Sequence, residues 1–166
     1  MKIKPVTLKD TQYISRRLRA ADQRELAITR SPENYIALSI DAWMSDKAFI
    51  AYAGDKEPVF VYGFHIQGRD ARIWGFGTER TPEVARGVTK HCLAYMMPFL
   101  LSLDIDRAHC LVHPGNDLSQ RWLRFLGFTP EATISDLGPE REELILYSRG
   151  RDAGPNPPQG SGEDAS

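Results

Sequence analysis

The chain carries almost no net charge. Its 21 basic and 22 acidic residues leave a formal charge of −1, so nothing in the balance argues for a nucleic-acid partner or a charged membrane surface. Cysteine is scarce as well. The two present, Cys92 and Cys110, lack metal-ligand spacing and read as small buried apolar residues, compatible with a reducing, cytosolic setting. No metal-binding constellation is visible in the sequence. Long apolar runs are missing too: the most apolar window, residues 93–103, is too short to span a bilayer and contains Pro98. The opening residues, MKIKPVTLKD, are polar, so no secretory leader is expected. There is no internal repeat. What is left is a chain of 166 residues with ordinary apolar and charged content, long enough for one domain with a real core.

The most informative stretch is residues 113–128, HPGNDLSQRWLRFLGF. Pro114 and Gly115 make a turn. Asn116 and Asp117 are both good helix caps, because a short side-chain oxygen bonds the orphan N–H groups of a first turn. With Asp117 as the cap, Gln120 falls at the third helical position and completes a capping box. Leu118, Trp122, Phe125 and Leu126 then form one apolar helical face. Gly127 supplies a left-handed stop, and Phe128 is expected to fold back onto Leu123. Residues 108–112 (AHCLV) read as a buried strand feeding this helix.

The remaining chain falls into elements in order. Residues 2–8 read as an edge strand, where Pro5 is tolerated. Asp10 or Thr11 caps a helix running to about Leu26, with Ile14, Leu18, Ala21 and Leu26 inward and Arg16, Arg17 and Arg19 outward. Asp22 and Glu25, three apart, share a helical face. Ser31 and Pro32 begin a second helix, with Tyr35, Leu38 and Trp43 inward. Strands follow at 48–53, 59–66 and 71–78, the last aromatic and broken by Gly75 and Gly77. The longest helix covers 82–101, kinked or ended by Pro98. After the 108–128 unit, strands lie within 128–134 and 143–148. A folded domain is therefore expected over 1–148, and a disordered tail rich in Pro and Gly over 149–166.

This order, β, α, α, β, β, β, α, β, α, β, β, and the 113–128 stretch resemble the GCN5-related N-acetyltransferase (GNAT) superfamily. That family's segment has an Asn, a small residue three later, a Tyr seven later and Gly-Phe at eleven and twelve. Here Asn116, Ser119, Gly127 and Phe128 sit at matching offsets, and Leu123 takes the Tyr position. The resemblance implies an α/β GNAT fold: a mixed, mostly antiparallel central sheet flanked by helices, with a V-shaped splay between the fourth and fifth strands. It implies acetyl-CoA as cofactor and an amine as acceptor. The cofactor would lie against Gly75, Phe76, Gly77 and Thr78 of the fourth strand, with Arg80 and Asn116 alongside. A helix N-terminus suits the pyrophosphate, because it offers N–H donors and a positive dipole end. Gly75 and Gly77 suit close approach of a ligand, or equally a bulge or bend without one. The sequence departs from the pattern in the loop opening the long helix. The family's glycine spacing is absent from residues 78–87, TERTPEVARG, and two acids stand where phosphates would approach.

Acyl transfer to an amine needs a base, donors that polarise the carbonyl and an acid for the leaving thiolate. The candidates for the base are Glu79, just past the fourth strand, Glu25 with Asp22 on the first helix, and His113 at the end of the fifth strand. A solvated charge is the plainer reading of each carboxylate, and a turn or capping role the plainer reading of His113. His65 is expected on the sheet face opposite Phe64 and Ile66. His91 and His109 read as structural, and Trp74 and Phe76 as core or pocket wall. No residue stands out as the thiolate's acid, and Tyr62 or Tyr95 serves only if the fold brings one there. A narrower resemblance, carried by LRAADQREL, IWGFGTERTPE and Asn116-x-x-Ser119-x-x-Trp122-Leu123-x-x-Leu126-Gly127-Phe128, is to GNAT-like proteins of short-tailed bacteriophages, internal virion proteins among them. It implies a phage product made in the bacterial host cytoplasm. Such a product is an acyl-CoA-dependent N-acyltransferase or a diverged relative that still binds CoA, or else a non-enzymatic virion or morphogenesis protein with phage virion partners that keeps the fold.

Overall fold

β-Branched and aromatic residues crowd the middle of the chain, and there they build the sheet. A computed structural model describes residues 1–30 and 34–153. Seven strands, β1 (Lys2–Pro5), β2 (Lys47–Tyr52), β3 (Pro58–Gln67), β4 (Asp70–Gly77), β5 (Arg107–Val112), β6 (Thr129–Leu137) and β7 (Glu142–Gly150), form one sheet in the order β1-β2-β3-β4-β5-β7-β6. Every neighbouring pair is antiparallel except β4 with β5. Pro5 lies on edge strand β1, where its missing N–H leaves no gap in the interior of the ladder.

Alternation along the strands gives the sheet two faces, each with its own core. Ile50, Tyr52, Val61 and Phe76 pack with Ile14 of helix α1 (Leu8–Ser15) and with Leu38 and Ala42 of α3 (Tyr35–Trp43). Helix α2 (Ala20–Thr29) joins this side through Leu26. The opposite core is larger. It gathers Phe60, Tyr62, Phe64, Ala108, Cys110 and Tyr147 with Val84 and Val88 of α4 (Thr81–His91), Leu100 of α5 (Met97–Ser102) and Leu123 of α6 (Asp117–Phe125).

Several boundaries differ from the sequence reading for identifiable reasons. The first helix is two. Thr7, not Asp10 or Thr11, caps α1, its hydroxyl accepting the Asp10 N–H at 3.2 Å. The chain breaks at residues 16–19 because the Arg19 N–H donates to Gly77 O at 2.9 Å instead of continuing the helix. Arg19 therefore turns inward, to 14% side-chain exposure. Asn34 caps α3, accepting the Ala37 N–H at 3.0 Å. The expected start at Ser31 and Pro32 lies outside the described residues. Pro98 does not end the long helix. A π-helical segment, Cys92–Met96, precedes it, and Pro98 occupies the opening turn of α5, where a missing N–H matters least. Strand β7 runs on through Gly150, two residues past its expected end, because Arg149 and Gly150 pair with Ala108 and Arg107. Residues 154–166 of the expected tail lie outside the described residues.

The α6 unit forms much as its local chemistry dictates, with two changes. Asn116 is the cap, its Oδ1 accepting the Ser119 N–H at 3.2 Å. Gln120 makes no capping box; it is buried and bonds Pro114 O and the Tyr147 hydroxyl at 2.6 and 3.0 Å. The expected helical face is only half buried: Trp122 and Leu126 pack into the core, Leu118 and Phe125 are 54% and 60% exposed, and Leu123 is buried in their place. The exit is a Schellman closure: Gly127 sits at φ 88°, its N–H donates to Arg124 O, and the Phe128 N–H donates to Leu123 O. Phe128, 1% exposed, closes the core under it, a burial worth about 1.5–3 kcal/mol.

Candidate active site

β4 and β5 pair over only three residues, Asp70–Arg107, Ala71–Ala108 and Arg72–His109. Beyond Arg72 they diverge, and the sheet opens into a V. The phase of β4 is set by the Thr78 N–H, which donates to Val59 O on β3 at 2.9 Å. Backbone groups alternate sides along a strand, so those of Ile73, Gly75 and Gly77 face the splay. A cleft of about 680 Å³ passes through it, lined by Gly75, Phe76, Cys110 and Val112 from the strands, by Asp22 and Glu25 from α2, and by Ser119 and Trp122 from α6.

Helix α2 bridges the open end of the V with two carboxylates. Asp22, 3% exposed, accepts the Gly77 N–H at 2.8 Å and takes the Arg19 guanidinium in a fork at 2.8 and 2.9 Å. Glu25 reaches the other arm: its Oε1 accepts the His113 N–H at 3.0 Å and the Asn116 Nδ2–H at 2.7 Å. Neither donor uses Oε2. Burial pushes both carboxyls above their ordinary range, against the pull of Arg19 and the Gly77 N–H on Asp22 and of Asn116 and His113 on Glu25. These are not solvated helix-face charges. Their three-residue spacing is visible in the sequence, but apart from Arg19 their partners lie between 55 and 91 residues away.

The other candidates are engaged elsewhere. Glu79 is exposed, and its carboxylate accepts the Ala20 N–H at 3.0 Å, capping α2 from a distance. The His113 ring closes its own turn, with Nδ1 accepting the Gly115 N–H at 2.9 Å and Nε2 at 3.5 Å from Glu142. Arg80 is held by Glu83 at 2.7 and 2.8 Å, by Asp55 at 2.8 Å and by Glu57. Tyr62 donates to or accepts from His91 Nδ1 at 2.8 Å, and burial raises its phenol. Tyr95, 42% exposed, stacks on Phe99 outside the cleft. Thr78 is buried under the α4 turn, its carbonyl accepting from Thr81. Of the expected site residues, Glu25, Gly75 and Phe76 line the cleft.

The glycines of β4 have a packing explanation. A Cβ on Gly75 would lie 2.9 Å from the Phe60 ring; one on Gly77 would lie 2.4 Å from Thr81 Oγ1 and 2.6 Å from Phe60. The fit to acyl-CoA is uneven. The edge of β4 at Ile73 and Gly75 presents backbone donors and acceptors to an extended pantetheine arm. The α4 terminus presents little to a pyrophosphate: the Thr81 and Glu83 N–H groups bond Thr78 O and Arg80 O, and Pro82 has no N–H.

The floor of the cleft on the α2–α3 side is a row of nitrogen-bearing side chains. His65, Arg72 and His109 lie side by side across β3, β4 and β5, and Trp74 follows Arg72 on the same face. Trp74 and Phe76 stand in the cleft wall, one of the two places expected for them, whereas Arg72 carries no sequence signal, since a lone arginine in a strand makes no motif. His65 does sit opposite Phe64 and Ile66, half-buried against Ser45 Oγ at 3.1 Å. Among the described residues no helix is long and apolar enough to cross a membrane.

No family model matches the chain, and no curated protein matches its sequence. Solved structures do. The ribosomal-protein-S18-alanine N-acetyltransferase of Escherichia coli superposes with a TM-score of 0.65 at 13% identity, covering 99% of this chain and 98% of its own. A GNAT-family acetyltransferase from Bacillus anthracis gives 0.61 at 16% identity, covering 90% and 94%. Ard1 from Thermoplasma volcanium gives 0.63 at 20% identity, covering 90% and 96%. At such identities the shared property is the architecture, and the seven-stranded sheet with its single parallel, splayed β4–β5 pair is the GNAT fold.

Proposed function

We propose that the protein is an N-acyltransferase that moves an acyl group from acyl-CoA to an amine. The observation that carries this reading is the bridged splay: a through-going cleft at the divergence of β4 and β5 with the buried Glu25 carboxylate on its wall. Acyl-CoA bound along Ile73 and Gly75 supplies an acyl carbon activated as a thioester. Glu25 is the base. Both of its hydrogen bonds fall on Oε1, so Oε2 remains to accept the proton of the attacking amine, and its raised pKa brings it nearer to neutral working pH. Backbone N–H groups of Ile73 and Gly75 donate to the oxygen that gains charge as nitrogen bonds to carbon. The Ser119 hydroxyl, on the first turn of α6, stands in the cleft to protonate the leaving sulfur; Leu123, where the superfamily has Tyr, is buried in the core.

A second reading has a specific observation in its favour. The α4 turn holds its own donors, and Arg80 is neutralised by three carboxylates. That suits a GNAT-fold protein without catalysis, such as the virion or morphogenesis protein suggested by the phage-like sequence motifs. Calorimetric titration of acetyl-CoA into the full chain, with CoA as control, separates the two. Micromolar binding, about −8 kcal/mol, supports the enzyme. No heat and an unmoved melting temperature support the scaffold.

A further inference from the structure

The floor of the cleft holds polar atoms that the rest of the fold leaves without use. Arg72 Nε, Trp74 Nε1 and His109 Nδ1 are buried and have no hydrogen-bond partner among the described residues. All three side chains line the same cleft. Arg72 and Trp74 alternate on one strand face, so their Cα atoms are about 6.7 Å apart, and His109 is Arg72's partner on β5, about 4.8 Å away. We infer that this floor holds a carboxylate borne by the acceptor amine, gripped by Arg72 and Trp74 with His109 beside them. The inference rests on the acyl-transfer reading for the word acceptor, and on the geometry alone for the carboxylate.

The chemistry of the donors selects the ligand. Arg Nε and the indole N–H donate and never accept, so only an acceptor satisfies them together. A carboxylate accepts at two oxygens and meets a guanidinium edge and a neighbouring N–H at once. The local charge agrees. Asp41 is the carboxylate in this corner of the cleft, and it is bound by Arg30 while Arg72 stays 3.8 Å away, too far for a hydrogen bond. Two guanidiniums thus share one carboxylate. The next acids, Asp70 and Glu131, are paired with Arg107 at 3.2 and 2.8 Å. Leu26, Leu38 and Ala42 supply apolar walls above the floor, so the charge of the ligand would be partly desolvated and read strongly.

The reach of the strand limits the size of the ligand. From Arg72 to Gly75, the second splay-facing residue of β4, is about 10 Å. An extended chain covers about 3.3–3.6 Å per residue, so a peptide of two or three residues fills that interval between carboxylate and amine, and a single amino acid occupies only its carboxylate end. A polyamine would bring a cation to two arginines and is disfavoured.

The test uses the ¹⁵N-labelled full chain and needs no acyl transfer. Free amino acids and dipeptides are titrated against their C-terminal amides, with inorganic phosphate and spermidine as further probes, and the indole N–H signals are followed. Trp43, 49% exposed and outside the lining of the cleft, serves as an internal reference. The expected result is a saturable shift of the Trp74 indole signal by at least one carboxylate, with its amide about tenfold weaker or worse. Trp74→Phe removes the donor and no protein hydrogen bond. It should fold and bind that carboxylate less tightly, as should Arg72→Gln. The inference is overturned if every carboxylate binds no tighter than its amide, if phosphate or spermidine outcompetes all carboxylates, or if both variants bind as well as the parent. Failure of acetyl-CoA to bind in calorimetry would sink the acyl-transfer reading and leave this result standing.

Discussion

Replacing Asp22 with Ala should weaken the fold by about 3 kcal/mol, near the lower bound for breaking a buried ion pair from one side. Asp22 joins α2 to the end of β4, accepting the Gly77 N–H at 2.8 Å and both forks of Arg19. Alanine strands two groups at once. The Gly77 N–H is buried and loses its acceptor, a penalty of about 1–3 kcal/mol. Arg19 loses its counter-charge, but with 14% of its side chain exposed it can turn to water, which holds the total near the bottom of the range. For a domain of this size the fall in melting temperature is about 6–12 °C. Asp22→Asn keeps an acceptor for Gly77 and loses only the charge, so it should lie between alanine and parent. Urea unfolding followed by far-UV circular dichroism gives the free energies, with unchanged slopes as the sign that the same transition is measured. An alanine variant within about 0.5 kcal/mol of the parent, the ordinary range for surface changes, would refute the idea that Asp22 ties α2 across the splay.

Glu25→Gln should fold, because Gln keeps an oxygen at the position that accepts from His113 and Asn116; steady-state kinetics should show kcat lower by about 10²–10⁴-fold if Glu25 is the base. The same variant reports on pH. Burial holds the Glu25 carboxyl above its ordinary 4.5, so the folded chain binds this proton more tightly than the unfolded one. Its contribution to stability is therefore full below about pH 4.5 and lost as pH rises through the folded value; unfolding across that window should show a slope that the Gln variant flattens. Gly77→Ala should lose about 1–3 kcal/mol in urea, since its Cβ would meet Thr81 Oγ1, Phe60 and the Val59 carbonyl within 2.8 Å; a neutral result would show that β4 can shift there. Pro82→Ala with Glu83→Gln restores an N–H and removes an acid at the α4 terminus, and should tighten acetyl-CoA several-fold by calorimetry if the pyrophosphate reaches that turn.

What the sequence discloses depends on how far apart the interacting residues lie. The stop at Gly127 and Phe128 is legible because its hydrogen bonds span three and five residues. The strands are legible from alternation and the splay from the family resemblance. The break between α1 and α2 is invisible locally, since Gly77 O, 58 positions ahead of Arg19, makes it. The same holds for Glu79, an apparent candidate base that instead caps a helix 59 residues upstream. Asp22 and Glu25 are noticeable as a pair, but a helix-face pair in solvent has the same spelling. Arg80 misleads differently. A cation beside a phosphate turn suggests a phosphate ligand, until Asp55, Glu57 and Glu83 are seen around it.

The π-helical segment before Pro98 has a consequence best stated as an extra residue. Five buried apolar residues of the long helix, at 84, 88, 92, 96 and 100, recur one every four, with Met97 buried beside them. An α-turn takes 3.6 residues, so each step of four overshoots by about 40°, and Leu100 would end roughly 160° away from Val84. The wider turn over Cys92–Met96 takes back about half of that drift. The helix therefore holds one residue more than an ordinary α-helix would need between the same two packing contacts. A single deletion inside 92–96 should be absorbed by a return to α-geometry, whereas the same deletion inside 84–88 would rotate every buried side chain beyond it out of the core.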